Sequence, residues 1–104
     1  MTCIFVCSEC PDGARRLSMI AGAIAGEECG IRASACLSGC RSGGSVAVRA
    51  PGRMAWLFGP VEEGDLDDLR RFLGLYRADP KGVIHDARPL TRLRFKVLAR
   101  IPAA

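Results

Sequence analysis

Short runs of alternating apolar and polar residues give way along the chain to longer stretches of helical spacing. Residues 2–6 (TCIFV) are rich in β-branched and aromatic side chains and predict a strand. Residues 7–13 (CSECPDG) carry turn chemistry at Pro11, Asp12 and Gly13, with Asp12 placed to cap a following helix. Leu17, Ile20, Ala21, Ile24 and Ala25 then recur at helical spacing, so a first helix is expected to about Ala25. Its polar side carries Arg15, Arg16, Ser18 and Glu28. Ile31, Ala33 and Ala35 alternate with Arg32 and Ser34, predicting a second strand that leads into Cys36. The segment 36–44 (CLSGCRSGG) is glycine-rich and predicts no regular element. Residues 45–50 (SVAVRA) and 54–58 (MAWLF) read as two strands joined by a Pro51-Gly52 turn, a β-hairpin.

A second helix is expected from Asp65. Asp67 and Asp68 lie in its first turn, where the helix dipole favours negative charge. Leu66, Leu69, Leu73 and Tyr76 form its stripe, and Asp79-Pro80 ends it. Residues 80–89 read as a polar connection. Leu90, Leu93, Val97, Leu98 and Ile101 again recur at helical spacing, so the chain is expected to end in an amphipathic helix. The opposite side of that helix would carry Arg92, Arg94, Lys96 and Arg100, and Pro102 would stop it. The order is β-α-β-β-β-α, an α/β chain. A parallel β-α-β unit and an antiparallel hairpin would form a mixed four-stranded sheet with a C-terminal helical tail.

The 104 residues suffice for one domain, 1–104. The formal charge of +4 comes from 15 basic and 11 acidic residues that form no run, and only six residues are aromatic. Neither a phosphate track nor a base-stacking platform is present, so nucleic acid is not the expected partner. The start MTCIFVC lacks the basic and apolar regions of a signal peptide, and no window has the apolar length of a membrane helix. The expected location is the cytoplasm. There thiols stay reduced, so six cysteines argue for metal binding, catalysis or burial rather than a disulfide framework.

Cys7 and Cys10 form a C-x2-C pair just after one predicted strand, and Cys36 and Cys40 a C-x3-C pair just after another. Adjacent parallel strands end at the same sheet edge, so both loops would open on one site. Four thiolates suit Zn²⁺ or an iron–sulfur cluster. Gly39, Gly43 and Gly44 allow tight bends that aim backbone N–H groups at sulfur, a feature that tunes iron–sulfur centres and that zinc also accepts. Arg41 would offset the charge of a thiolate-ligated centre. The rival is dithiol–disulfide exchange, for which C-x2-C beside a β-α-β unit is a known signal. That reading leaves the second pair unexplained, and no proline closely precedes the third strand. One histidine, in a polar connection, cannot build a Ser-His-Asp set, and no phosphate loop is present.

The segment 35–73, with its C-x3-C, glycine loop, strand, Pro-Gly turn, aromatic strand and helix, resembles the thioredoxin-like [2Fe–2S] ferredoxins. The whole chain resembles a family of short bacterial proteins described only as predicted metal-binding. VCSEC, CLSGC, APGR followed by WLFG, and LARIP carry that likeness. The resemblance implies a thioredoxin-like fold and a [2Fe–2S] cluster held by Cys7, Cys10, Cys36 and Cys40. It implies electron transfer to a redox partner protein rather than an enzyme activity, and it makes a homodimer an option. A zinc-binding or metal-delivery module is the alternative. The better-known ferredoxins of this fold separate their first two ligands by a longer stretch than the two residues here. Cys3 therefore stands as a substitute for Cys7 or Cys10.

Elsewhere the plain readings lead. Cys3 and Cys29 read as small buried hydrophobes. His85 reads as a solvated or helix-flanking residue, and Trp56 and Phe58 as core. The basic side of the last helix reads as a solvated face that could dock an acidic redox partner.

Overall fold

The computed structural model describes residues 1–10, 12–35 and 43–103. The elements run β1 (Thr2–Cys7), α1 (Gly13–Ala23), β2 (Cys29–Ser34), β3 (Val46–Arg49), β4 (Ala55–Phe58), a 3₁₀ turn (Glu63–Asp65), α2 (Leu66–Ala78), two further 3₁₀ turns (Arg88–Leu90 and Leu93–Lys96) and β5 (Val97–Ile101). They build one five-stranded sheet in the order β2-β1-β3-β4-β5. β1 and β2 are parallel, and the other neighbours are antiparallel. The expected β-α-β unit and the hairpin around Pro51-Gly52 are both present.

The pleat sorts side chains by parity. The register stacks Ile4, Val48 and Trp56 in one row and Val6, Val46 and Phe58 in the next. All six are buried, packed with Ile20 and Ile24 of the first helical segment and with Leu69, Phe72, Leu73 and Tyr76 of α2. Phe72 is the hub. Its ring meets Trp56 edge-on at 5.3 Å and Phe58 edge-on at 4.9 Å, the arrangement aromatic quadrupoles favour. The polar ends of the large side chains are satisfied within this layer. Trp56 Nε1 donates to the Gly82 carbonyl at 2.9 Å, and the Tyr76 hydroxyl donates to the Met54 carbonyl at 2.6 Å. Trp56 and Phe58 are thus core residues, as their pattern implied. The alternate positions Cys3, Phe5, Ala47, Arg49 and Leu57 face the other side of the sheet.

The C-terminal segment departs from expectation. The last amphipathic helix is replaced by the 3₁₀ turn Leu93–Lys96 and the strand β5, which pairs with β4 through Trp56↔Arg100 and Leu57↔Ala99. The first half of the expected stripe is in the core, with Leu90 and Leu93 buried. Of the second half, Val97 packs against the core, while Leu98 is 41% and Ile101 58% exposed. Pairing with β4 gives residues 97–101 partners for their backbone groups and covers an otherwise open sheet edge. The sheet therefore has five strands, not four.

With the helix gone, its expected basic face disperses. Lys96 Nζ bonds Asp65 Oδ2 at 2.6 Å and Glu62 Oε1 at 2.9 Å. The guanidinium of Arg100 lies over the Trp56 ring, and that of Arg94 over the Phe95 ring. Among the described residues no helix is long and apolar enough to cross a membrane.

Candidate thiolate site

β1 and β2 run in parallel and in register, Cys7 beside Ser34. Both strands consequently end at one edge, as the two cysteine loops require. Two sets of hydrogen bonds then converge on the backbone of residues 7 and 8. The Ser8 N–H and hydroxyl both donate to the Ser34 carbonyl at 2.8 Å. The Cys7 N–H donates to the Ser45 carbonyl at 3.0 Å. Ser34 precedes the glycine-rich segment and Ser45 follows it, so its two flanks are tied to the first cysteine and its neighbour. Cys36 and Cys40 themselves lie outside the described residues.

Cys7 ends β1, and Cys10 begins a tight turn into α1. The Gly13 N–H donates to the Cys10 carbonyl at 3.1 Å. A Cβ on Gly13 would lie 2.8 Å from the Cys7 carbonyl oxygen, so only glycine lets α1 start this close to the loop. Asp12 occupies the cap position expected of it, with a φ of 58°, but its side chain makes no capping bond. Its carbonyl accepts the Arg16 N–H instead. Cys7 is fully buried and Cys10 is 7% exposed. Neither belongs to the hydrophobic core cluster.

The far flank of the glycine segment is clasped from α1. Arg16 Nε donates to the Val61 carbonyl at 2.9 Å, and the Val61 N–H donates to the Gly44 carbonyl at 3.1 Å. The Arg16 guanidinium lies 3.0 Å from where a Gly44 Cβ would be, and Gly44 has a φ of +54°. Gly44 thus needs to be glycine both for its backbone and for its contact. The clasp holds a cation beside the segment that carries two of the four thiols. Arg16 was legible only as a member of a polar helix side. Nothing in local spacing tells which arginine of that side reaches the segment.

The other candidates fall elsewhere. Cys3 pairs with Gly30 and Arg49 at the opposite end of β1. Four residue steps along the strand separate it from Cys7, about 13 Å. Thiolates on one metal at about 2.3 Å each cannot span that distance, so Cys3 is no substitute ligand alongside Cys7. It instead borders an open depression of ≈ 580 Å³ with Phe5, Arg32 and Arg49. Cys29 is half-buried, and burial raises its thiol above the ordinary value against the pull of Arg77. Cys29 packs against the core cluster as a small hydrophobe, whereas Cys3 is half-buried at the rim of the depression. His85 is exposed and bonds Asp79 Oδ2 at 3.2 Å beyond the end of α2. Among the described residues no three metal-ligating side chains gather. The described half of the expected set is the Cys7–Cys10 pair.

A sequence profile described as "Protein of unknown function (DUF1636)" matches residues 4–103. No curated protein matches the chain. Among solved structures the chain is similar to a thioredoxin-like [2Fe–2S] ferredoxin from Aquifex aeolicus, with 19% identity and a TM-score of 0.60 over 96% of this chain and 92% of that one. That likeness establishes the thioredoxin-like fold.

Proposed function

We propose that this chain, which belongs to the DUF1636 family of proteins of unknown function, is a small electron carrier built around a [2Fe–2S] cluster. The observation that carries the reading is the double anchoring of the glycine-rich segment. Its flanks at Ser34 and Ser45 are hydrogen-bonded to Ser8 and Cys7. Cys7, Cys10, Cys36 and Cys40 would hold the cluster, which when bound supplies a one-electron couple.

The described residues fit such a group in three ways. Cys7 and Cys10 are soft donors at the end of β1 and in the turn after it, outside the core cluster. Arg16 holds positive charge beside the segment, where ligated thiolates would be negative. Ser45 carries a buried hydroxyl with no partner next to Cys7 in the register. The shared fold with a protein described as a [2Fe–2S] ferredoxin adds support. Dithiol exchange is disfavoured by burial. An attacking thiolate must be reached by its target, and Cys7 is fully buried. Electrons would pass to a redox partner protein, and assembly as a homodimer is compatible with this role.

Purification without oxygen, with a visible spectrum and analysis of iron, sulfide and zinc, tests the proposal. The expected result is a red-brown protein with equal iron and acid-labile sulfide. A colourless protein with one zinc would replace electron transfer with a zinc-binding or metal-delivery role. A metal-free protein that cycles between dithiol and disulfide would remove the metal altogether.

A further inference from the structure

Two buried side-chain oxygens lack a hydrogen-bond partner among the described residues, Asp65 Oδ1 and Ser45 Oγ. The first has a local account. Asp65 Oδ2 accepts from Lys96 and from the Glu62 N–H, and Arg92 Nε lies 3.9 Å from Oδ1. The second has none. Ser45 is fully buried, and a hydroxyl left unpaired there is destabilising.

Its position in the sheet suggests what the hydroxyl is for. The β1–β3 register runs from Cys3↔Arg49 to Val6↔Val46. One further step sets Ser45 opposite Cys7, as the bond from the Cys7 N–H to the Ser45 carbonyl confirms. Facing residues of an antiparallel pair project to the same side, with Cβ atoms about 5 Å apart. Val6 and Val46 face the helices, so Cys7 and Ser45 face away from them, on the side of Cys3 and Phe5. The hydroxyl therefore shares a sheet face with the first ligand yet bonds to no atom of it.

We propose that Ser45 Oγ is a hydrogen-bond donor to a sulfur of the centre held by Cys7, and so a positioning residue that tunes it. This rests on the thiolate–metal reading above. A thiolate or sulfide beside Cys7 supplies the acceptor the hydroxyl lacks, and donors to such sulfurs set both affinity and potential.

The test compares wild type with Ser45→Ala, which is smaller and apolar and so should fold, and with Ser45→Thr, which keeps the hydroxyl. Zn²⁺ affinity is measured by chelator competition. Protein reconstituted with ferrous iron and sulfide is titrated for its midpoint potential, and the metal-free forms are unfolded in urea. Ser45→Ala is expected to bind Zn²⁺ about tenfold more weakly. Its one-electron reduction constant should fall about tenfold, a shift of about 59 mV to lower potential. Its metal-free form should be as stable as wild type or more so, because an orphaned hydroxyl is gone. Ser45→Thr should restore affinity and potential. Wild-type affinity and potential in Ser45→Ala would overturn the inference and leave the metal reading standing. A metal-free Ser45→Ala destabilised in proportion to its lost affinity would show a structural hydroxyl and also overturn it. Wild-type protein that takes up neither Zn²⁺ nor iron and sulfide would remove the metal reading and this inference with it.

Discussion

Ser8 grips the Ser34 carbonyl twice, through its N–H and through its hydroxyl, each at 2.8 Å. This fork fastens the loop after β1 to the last residue of β2. Ser8 is exposed, so water competes for both bonds. Ser8→Ala, which keeps the N–H, should cost less than about 1 kcal/mol in urea unfolding. Ser8→Pro removes both donors and should lower the metal content of the anaerobically purified protein. Equal metal content in Ser8→Pro would show that the fork does not shape the site.

Gly13 tests the close approach of α1 to the cysteine turn. A methyl group there meets the Cys7 carbonyl at 2.8 Å, so the helix start or the loop must shift. Gly13→Ala should lose about 1–3 kcal/mol of stability, as overpacking does. It should also bind metal more weakly, because the backbone it displaces belongs to Cys7. An unfolding midpoint equal to wild type would refute the contact.

Phe72 joins the aromatic rows of β4 to α2. Phe72→Ala should cost about 3–5 kcal/mol, a large part of the 5–15 kcal/mol typical of a domain. Phe72→Leu should cost clearly less, because it keeps most of the volume. Similar losses in the two variants would mean that ring geometry rather than volume is what matters.

Lys96 makes an alkaline prediction. Burial alone would lower its ammonium, but hydrogen bonds to Asp65 and Glu62, and their charges, raise it on balance above its ordinary 10.5. A group whose folded value is raised contributes stability in full below its unfolded value and loses it as pH climbs through the folded value. The pair should therefore hold up to about pH 10.5 and weaken above it. Lys96→Met leaves the buried Asp65 carboxylate without its main cation and should cost about 3–5 kcal/mol near neutral pH. Measured across pH, its stability should lack the alkaline decline attributable to this pair.

Asp86 makes the acid counterpart. Bonds from the Arg88 side chain, then from its backbone N–H, hold the carboxyl down at about 2. A depressed carboxyl contributes stability above its ordinary value of 3.8 and loses it as pH falls through about 2. Carboxyl chemical shifts should place the Asp86 midpoint near that value, and Arg88→Ala should return it toward 3.8. A wild-type midpoint at the ordinary value would show that the pair does not persist in solution.

The sheet's first four strands and both helices were legible because each carries its own period. The alternation at Ile31 and Ala33 and the stripe of Leu66, Leu69, Leu73 and Tyr76 are local signals. The tail was misleading for the same reason. Leu90, Leu93, Val97 and Ile101 fit a helical period, but what decides residues 97–101 is the edge of β4, about forty residues earlier in the chain. The Cys7–Cys10 pair could be read from spacing, and so could the sharing of one edge by β1 and β2. The Ser45–Cys7 register could not, because it depends on an antiparallel pairing across 38 residues. Gly43-Gly44 directly before a strand was the available signal that Ser45 stands at the start of β3, next to the site.

The separation between the cysteine turn and the core has a consequence for biogenesis. The core cluster of Ile4, Val6, Trp56, Phe58, Phe72 and their neighbours contains neither Cys7 nor Cys10, although both are buried. In a zinc finger, ligation and folding are one event. For a site that lies outside the core cluster, folding would come first and ligation second. On the proposed reading, metal insertion would be a separate maturation step on a native scaffold, and loss of the metal would leave a protein to be recharged rather than degraded.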